Sequence, residues 1–345
     1  MVGGHAVMIA SHLAVLILII PVAAGLISAG LIVMLRPLLQ RYALSRPNAR
    51  SSHVAPTPQG GGIAVMSATA ITAALTGLLG PPYLGNASPI VLIAAFFLAA
   101  VGMIDDLKPI QVVPRLALQL AAVALLLATL PSQIRIIETV PIWLERTLLI
   151  LAMLWFINLV NFMDGLDWMT VAEMLPVTIA LAAFAFFDEA PRDILPIALA
   201  LAGALVGFAP FNRPVARLFL GDVGSLPIGL LTGWCLLELA SRHFTAALLL
   251  PLYYLADATI TLFRRLANGE HIWIAHRSHF YQRATDNGFS VRQVVTNVFL
   301  LNVLLTGLAA ASIAIPSTGV DLTALALGAL AVMVTLVRFS RPRAE

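Results

Sequence analysis

The stretch Ile9-Ala-Ser-His-Leu-Ala-Val-Leu-Ile-Leu-Ile-Ile-Pro-Val-Ala-Ala-Gly-Leu-Ile-Ser-Ala-Gly-Leu-Ile-Val-Met-Leu35 carries no Asp, Glu, Lys or Arg from end to end. A bilayer core about 30 Å thick is crossed by about 20 apolar helical residues, so this run predicts a membrane-spanning helix. It is too long for a signal-peptide core and has no basic residue ahead of it, which reads as a retained helix. Ten further runs repeat the pattern: Gly62 to Leu79, Ser88 to Ile104, Leu116 to Leu130, Leu148 to Val160, Met169 to Phe187, Ile194 to Phe211, Val223 to Leu239, Phe244 to Leu262, Val291 to Ile315 and Leu322 to Val337. The expectation is an all-α, polytopic membrane protein of about 11 transmembrane helices, with residues 1–345 forming one integral-membrane domain. Composition agrees, because a chain that is 60% hydrophobic and 11% charged has more apolar surface than a soluble core can hide.

The same composition excludes an intrinsically disordered chain, which would be poor in apolar residues. A net charge of +3 spread over 345 residues is too small for a nucleic-acid binder. The single cysteine, Cys235, lies in an apolar run, so it reads as helix packing and leaves no disulfide framework or cysteine zinc site.

Orientation follows from Lys and Arg in the short loops. With the N-terminus outside, one face receives Arg36, Arg41, Arg46, Arg50, Lys108, Arg115, Arg213, Arg217, Arg264, Arg265, Arg277, Arg283, Arg292, Arg338, Arg341 and Arg343. The other receives only Arg135, Arg146, Arg192 and Arg242, so 16 of the 20 basic residues mark the cytoplasmic face. The C-terminus is expected in the cytoplasm.

Acids within or beside membrane spans are costly, and here they fall in groups on that face. Asp105 and Asp106 end the third run; adjacent carboxylates suit a divalent cation such as Mg²⁺, while capping or solvation of the helix end is the alternative. The helix macrodipole disfavours anions at a C-terminus. Asn158, Asn161, Asp164 and Asp167 are spaced by three residues, yet such steps drift around a 3.6-residue helix, so one face cannot hold all four. Gly165 is expected to bend the chain and return the two acids towards the two asparagines, for metal coordination, substrate hydrogen bonding or an inter-helix clamp. Asp222 opens the eighth run, where bare N–H groups would favour phosphate and the carboxylate its counter-ion, or where the residue is a plain N-cap.

His276-Arg277-Ser278-His279 lies in a late polar loop. Its histidine spacing is a weak zinc signal, and Arg277 with histidine donors suits a diphosphate, unless the loop is simply basic and solvated. Ser51 to Gly62 supplies His53, a Pro-rich turn and three glycines, fit for a lipid phosphate or a stiff turn. Asp257 is a lone acid inside the ninth run, suited equally to a structural partner or a function. Acids for metal, Arg and His for phosphate and a lipid perimeter together describe an interfacial phosphotransferase.

The motifs SSHVAPTPQGGG (51–62), GMIDDLK (102–108), NLVNFMDGLD (158–167), FLGDVGS (219–225) and AHRSHFYQR (275–283) resemble, in order, those of the polyprenyl-phosphate N-acetylhexosamine-1-phosphate transferases. HRSH and the SSH before PTP look most like the O-antigen and capsule branch. The resemblance implies transfer of a sugar 1-phosphate from a UDP-N-acetylhexosamine to undecaprenyl phosphate, releasing UMP, in a bacterial inner membrane with a periplasmic N-terminus and a cytoplasmic active site. It implies Mg²⁺, with Mn²⁺ as a substitute, held by Asp222 and Asn161. Asp105, Asp106, Asp164 and Asp222 take the catalytic roles; Asn158, Asp167, His276, Arg277, His279 and His53 bind substrate. Membrane lipid and a second copy of the chain are the remaining candidate partners.

Three departures bear on substrate identity: Trp168 where the family usually has glycine, Gln59 for a common Arg, and Arg46 for a common Asp. A secondary transporter is the main alternative, but its polar residues would lie near the midplane and within internal repeats. A non-catalytic homologue is another. A CDP-alcohol phosphotransferase would need a DG-x-x-AR motif, which is absent.

Overall fold

The computed structural model describes residues 2–45, 56–81, 84–132, 134–271 and 276–343, with side-chain surroundings from residue 17 onward. All eleven predicted runs are helical. In chain order they are α1 (Val2–Tyr42), α2 (Gly61–Leu79), α3 (Pro89–Leu107), α4 (Val112–Ala128), α5 (Ile142–Met163), α6 (Met169–Phe186), α7 (Leu195–Phe208), α8 (Asp222–Ala240), the pair α9 (Phe244–Leu249) and α10 (Leu252–Ala267), then α12 (Val291–Ala314) and α13 (Thr318–Phe339). A short extra helix, α11 (Phe280–Asp286), lies in the late polar loop. Among the described residues, eight helices are long and apolar enough to cross a membrane: α1 from Ile17, α2, α3, α5, α6, α8, α12 and α13.

The remaining runs are shorter or divided. At 1.5 Å per residue, the 14 residues of α7 extend about 21 Å, less than a bilayer core about 30 Å thick. The 17 residues of α4 stand at the lower limit of a spanning length. The ninth run was expected as one helix from Phe244 to Leu262. Instead it divides at Leu250–Pro251, because proline has no N–H for the ladder and its ring displaces the preceding turn. Its second half, α10, continues to Ala267 and carries Arg264 and Arg265 in its last turn.

α8 is the most enclosed of the eight spanning-length helices. Of its most apolar window 94% is buried, against 22% for α1 and for α13, whose open faces are left for lipid. Without a hydrophobic drive between helices in lipid, close packing of small residues holds the bundle. A Cβ on Gly62 of α2 would lie 2.2 Å from Gly224 Cα, and one on Gly102 of α3 would lie 2.2 Å from the Asp222 carbonyl oxygen. These glycines let α2 and α3 touch the first turn of α8. Between α1 and α2, β1 (Leu44–Ser45) pairs antiparallel with β2 (Thr57–Pro58), and Gln59 bridges to Phe219 just ahead of α8. The N–H groups of Gly61 and Gly62 donate to the carbonyls of Phe219 (2.9 Å) and Leu220 (2.8 Å), so the glycine segment is bonded to protein backbone.

Candidate active site

The C-terminal ends of α3 and α5 and the N-terminal ends of α4 and α8 meet at one end of the bundle. Adjacent in sequence, Asp105 and Asp106 face different partners. Asp105 accepts from the Ile110 N–H (2.6 Å) and from Arg115 Nη1 (2.6 Å), the latter in the first turn of α4. Asp106 accepts from the backbone N–H groups of Asp222 (2.9 Å) and Val223 (3.1 Å) and from the Gln59 amide. A carboxylate from α3 therefore caps α8 from outside. Gly221 makes room for it: with φ +80° it adopts a backbone region that disfavours side chains, and a Cβ there would approach Asp106 Oδ2 to 2.5 Å.

This cap corrects one expectation. The first N–H groups of α8 are not bare, and the reading of that terminus as a phosphate cradle does not hold. Two charge-assisted bonds to a helix N-terminus contribute roughly 1.5–3 kcal/mol each.

The capped turn places Asp222 beside α5 and the start of α4. Asn161 Nδ2 donates to Asp222 Oδ1 (2.7 Å) and to Ser225 Oγ (2.9 Å), joining α5 to α8. The Asp105 and Asp222 carboxylates lie within hydrogen-bonding reach of each other. Such a pair repels unless a cation accompanies it; Arg115, 2.6 Å from Asp105 and 3.6 Å from Asp222, is that cation. The Asp222 side chain keeps 26% of its surface open.

The expected convergence of four polar residues after Gly165 does not form. Asn158 points to α4, where its amide donates to Gln119 Oε1 (2.7 Å), while Asn161 points to Asp222. The drift around the helix places the two on different neighbours. Nor do the acids return to the asparagines. Asp164 accepts from the Thr170 hydroxyl, and Asp167 accepts from the Ala216 N–H (2.9 Å), tying down the segment ahead of α8. Burial pushes the Asp164 carboxyl up to about 7, with Asp106 and Asp167 adding repulsion and Thr170 opposing.

Trp168 supports the same segment. It stands at φ +64°, where glycine is the easier residue, with its backbone N–H on Asn212 Oδ1 (2.8 Å) and its indole N–H on the Ala209 carbonyl (2.6 Å).

The histidine loop is organised by Asp257, which is fully buried. It accepts from the N–H groups of Phe280 (3.0 Å) and Tyr281 (3.1 Å), from the hydroxyls of Tyr253 (3.1 Å) and Thr261 (3.4 Å), and pairs with His279 Nδ1 (3.3 Å). Of its two sequence readings, the structural partner is the one realised: Asp257 caps α11 and sets the His279 ring. His276 stacks on His279 with ring centres 4.9 Å apart and also meets Arg265. Arg277 leans on α11 through Thr285 (3.0 Å) and Asp286 (3.2 Å). The loop docks on the end of α5, where the Tyr281 hydroxyl donates to the Phe162 carbonyl (3.0 Å) and a Cβ on Gly165 would meet that hydroxyl at 2.1 Å. His53 lies outside the described residues.

Sequence reasoning counted Arg115 only as a loop charge. Its signal was its position: a cation in the first turn of a helix is disfavoured by the dipole, as is an anion in the last turn, and Asp105 and Arg115 are each at the wrong end for the other's benefit.

With this geometry in hand, the relatives can be compared. The family described as Glycosyl transferase family 4 matches residues 88–240, from the start of α3 to the end of α8. Over that stretch the chain is similar to this family. The matched part contains Asp105, Asp106, Arg115, Asn161, Asp164 and Asp222. The group includes the polyprenyl-phosphate N-acetylhexosamine-1-phosphate transferases. One relative, decaprenyl-phosphate N-acetylglucosaminephosphotransferase of Mycobacterium leprae (strain TN), is 28% identical over 300 residues, covering 75% of this chain and 74% of its own. A probable undecaprenyl-phosphate N-acetylglucosaminyl 1-phosphate transferase of Bacillus subtilis (strain 168) is 23% identical over 303 residues, covering 83% of each. A phospho-N-acetylmuramoyl-pentapeptide-transferase of Mycobacterium sp. (strain JLS) is 28% identical, covering 73% and 82%. The family match and the eight apolar helices agree on a multi-pass membrane protein.

Proposed function

We propose that this chain transfers an N-acetylhexosamine 1-phosphate from a UDP-sugar to undecaprenyl phosphate, releasing UMP and starting a surface polysaccharide. The observation that carries the reading is the Asp105–Arg115–Asp222–Asn161 centre at a junction of helix ends. A phosphorylated lipid lying in the bilayer would present its head group at that level. The basic-residue asymmetry supports the cytoplasmic face for this end, with about eleven crossings and an outward N-terminus.

In the proposed reaction a phosphate oxygen of the lipid bonds to the β-phosphorus of the UDP-sugar. The bridging P–O bond to the α-phosphate breaks, and its electron pair leaves with UMP. A phosphate monoester has its second pKa near 6, so at pH 7 it is largely a dianion and needs little help from a base. Catalysis then rests on positioning and charge.

Asp222, Asp105 and the Asn161 side chain offer oxygen donors of the kind Mg²⁺ takes, with Asp222 and Asn161 the principal ligands. When bound, Mg²⁺ would neutralise diphosphate charge. Among the described residues no group of three or more His, Cys, Asp or Glu is arranged around one metal position. Arg115 is placed to donate to a phosphate oxygen beside Asp222. His276, Arg277 and His279 would receive the diphosphate, and Asp164 and Asp167 would border the nucleotide.

The test is UMP release by purified protein supplied with undecaprenyl phosphate and a panel of UDP-N-acetylhexosamines, with the lipid product identified by mass. A sugar-linked lipid diphosphate supports the reading. Donor hydrolysis without lipid product, or no turnover with any donor in the panel, would sink it.

A further inference from the structure

The C-terminal end of α13 forms a feature that the transfer reaction does not use. A cavity of about 590 Å³ opens there, walled by Phe289, Met333, Val334 and Val337 and rimmed by Arg338, Arg341 and Arg343. Its apolar wall continues onto an open helix face, with Met333 52%, Val334 58% and Val337 40% exposed. Five arginines each meet an acid: Arg115 with Asp105, Arg135 with Glu145, Arg192 with Asp188, Arg265 with Glu270 and Arg277 with Asp286. The three at this corner do not. Among the described residues Arg338 donates to the neutral Asn297 Oδ1 (3.1 Å), Arg343 to the neutral Gln293 Oε1 (2.8 Å), and the Arg341 side chain has no ion pair or hydrogen bond. Arg338 also lies over the Phe289 ring at 5.6 Å, which fixes its stem across the cavity.

We propose that this cavity binds the head group of an anionic membrane phospholipid, with its chains along the exposed stripe of α13. Charge complementarity selects the occupant: three clustered guanidiniums lacking an acid call for phosphate oxygens, and the apolar wall beside a membrane-spanning helix suits acyl chains. A bound lipid would also brace the late loop. The Arg343 N–H donates to the Asn287 carbonyl (2.9 Å), and the Asn287 amide donates to the Phe339 carbonyl (2.7 Å), so the rim is tied to the residue that ends α11.

The experiment uses the full chain in detergent, with bound lipid counted by native mass spectrometry during titration with dioleoylphosphatidylglycerol or dioleoylphosphatidylcholine. Each basic residue near a membrane surface contributes about five-fold in binding. The phosphatidylglycerol is expected to bind at least about ten-fold more tightly than the phosphatidylcholine. The Arg338→Gln/Arg341→Gln/Arg343→Gln triple variant should lose that preference, while Arg36→Gln/Arg41→Gln keeps it. Arg341→Gln alone breaks no internal bond and should lose about five-fold, which keeps the test decisive if the triple variant folds poorly. Equal binding of the two lipids by the natural protein, or an unchanged preference in Arg341→Gln and the triple variant, would overturn the proposal. So would displacement of the lipid by millimolar inorganic phosphate, which would mark a free-anion site. A dimer in light scattering that the triple variant dissociates, without any lipid preference, would assign the face to a second copy and overturn it as well.

Discussion

The N-termini of α8 and α11 are both capped by a carboxylate from another helix, and they serve different ends. Asp106 of α3 holds α8, and beside it stand Asp105, Asp222, Arg115 and Asn161, with Asp222 still partly open. Asp257 of α10 holds α11 and is sealed, with all its neighbours engaged in fixing one loop. One cap gathers charged groups that remain partly open; the other removes a charge from reach and spends it on geometry. A buried acid in a membrane protein is therefore not by itself a mark of chemistry. What separates the two is exposure: the Asp222 side chain keeps 26% of its surface open, while Asp257 is sealed.

Substitutions can break that comparison. The largest effect is expected for Asp222→Asn: UMP release should fall by about 10²–10³-fold, with the melting temperature in detergent at or above that of the natural protein because a repelled charge is gone. A variant retaining most of its activity would remove Asp222 from the centre. Asp257→Asn should show the opposite signature. Loss of the charge that takes two backbone N–H groups and His279 should cost about 2–4 kcal/mol of stability, read as a lowered melting temperature, with the activity per folded molecule falling less than in Asp222→Asn.

Arg115→Gln comes next, with turnover expected to fall by about 10- to 100-fold, while Arg115→Lys restores part of it because charge is kept and the fork is lost. Equal rates in the two would mean that only the presence of a polar group matters there. Trp168→Phe keeps the ring and loses one hydrogen bond, for about 1 kcal/mol; a shift in KM among UDP-sugar donors larger than the change in kcat would show that the 209–217 segment shapes the donor pocket.

The smallest effect is a pH dependence. The Asp164 carboxyl is raised to about 7 in the folded protein from a usual value near 4, so the folded state binds the extra proton. Its contribution is fully present below about pH 4 and is lost as pH rises through about 7. In metal-free protein, Asp164→Asn should flatten the fall in melting temperature across that window. An unchanged slope would show that Asp164 is ionised throughout.

Much of the fold was legible because apolar run length is a one-dimensional signal, and every run expected to be helical is helical. Pro251 was visible in the ninth run, yet a hydropathy reading passes over a single proline, and the break was missed. The motifs named the right neighbourhood of the site but not its wiring. Asp106 meets backbone N–H groups more than a hundred positions away, and backbone donors carry no residue signature. Likewise, the spacing shows that one face cannot hold Asn158, Asn161, Asp164 and Asp167 together, but not that Gln119 and Asp222 receive the two asparagines. Trp168 in a glycine-like conformation was readable only as an anomaly, since the indole bond that compensates it belongs to a carbonyl on a separate segment.

The near-complete enclosure of α8 has a further consequence for motion. A helix packed on all sides opens only with the whole bundle, so its amides should be among the slowest in the chain to exchange with deuterium. Asp222 is then a stationary reference, and rearrangement beside it would come from the described segments packed around it, the 209–217 turn and residues 276–279. Exchange mapped before and after adding UDP-sugar should change in those segments and leave α8 silent.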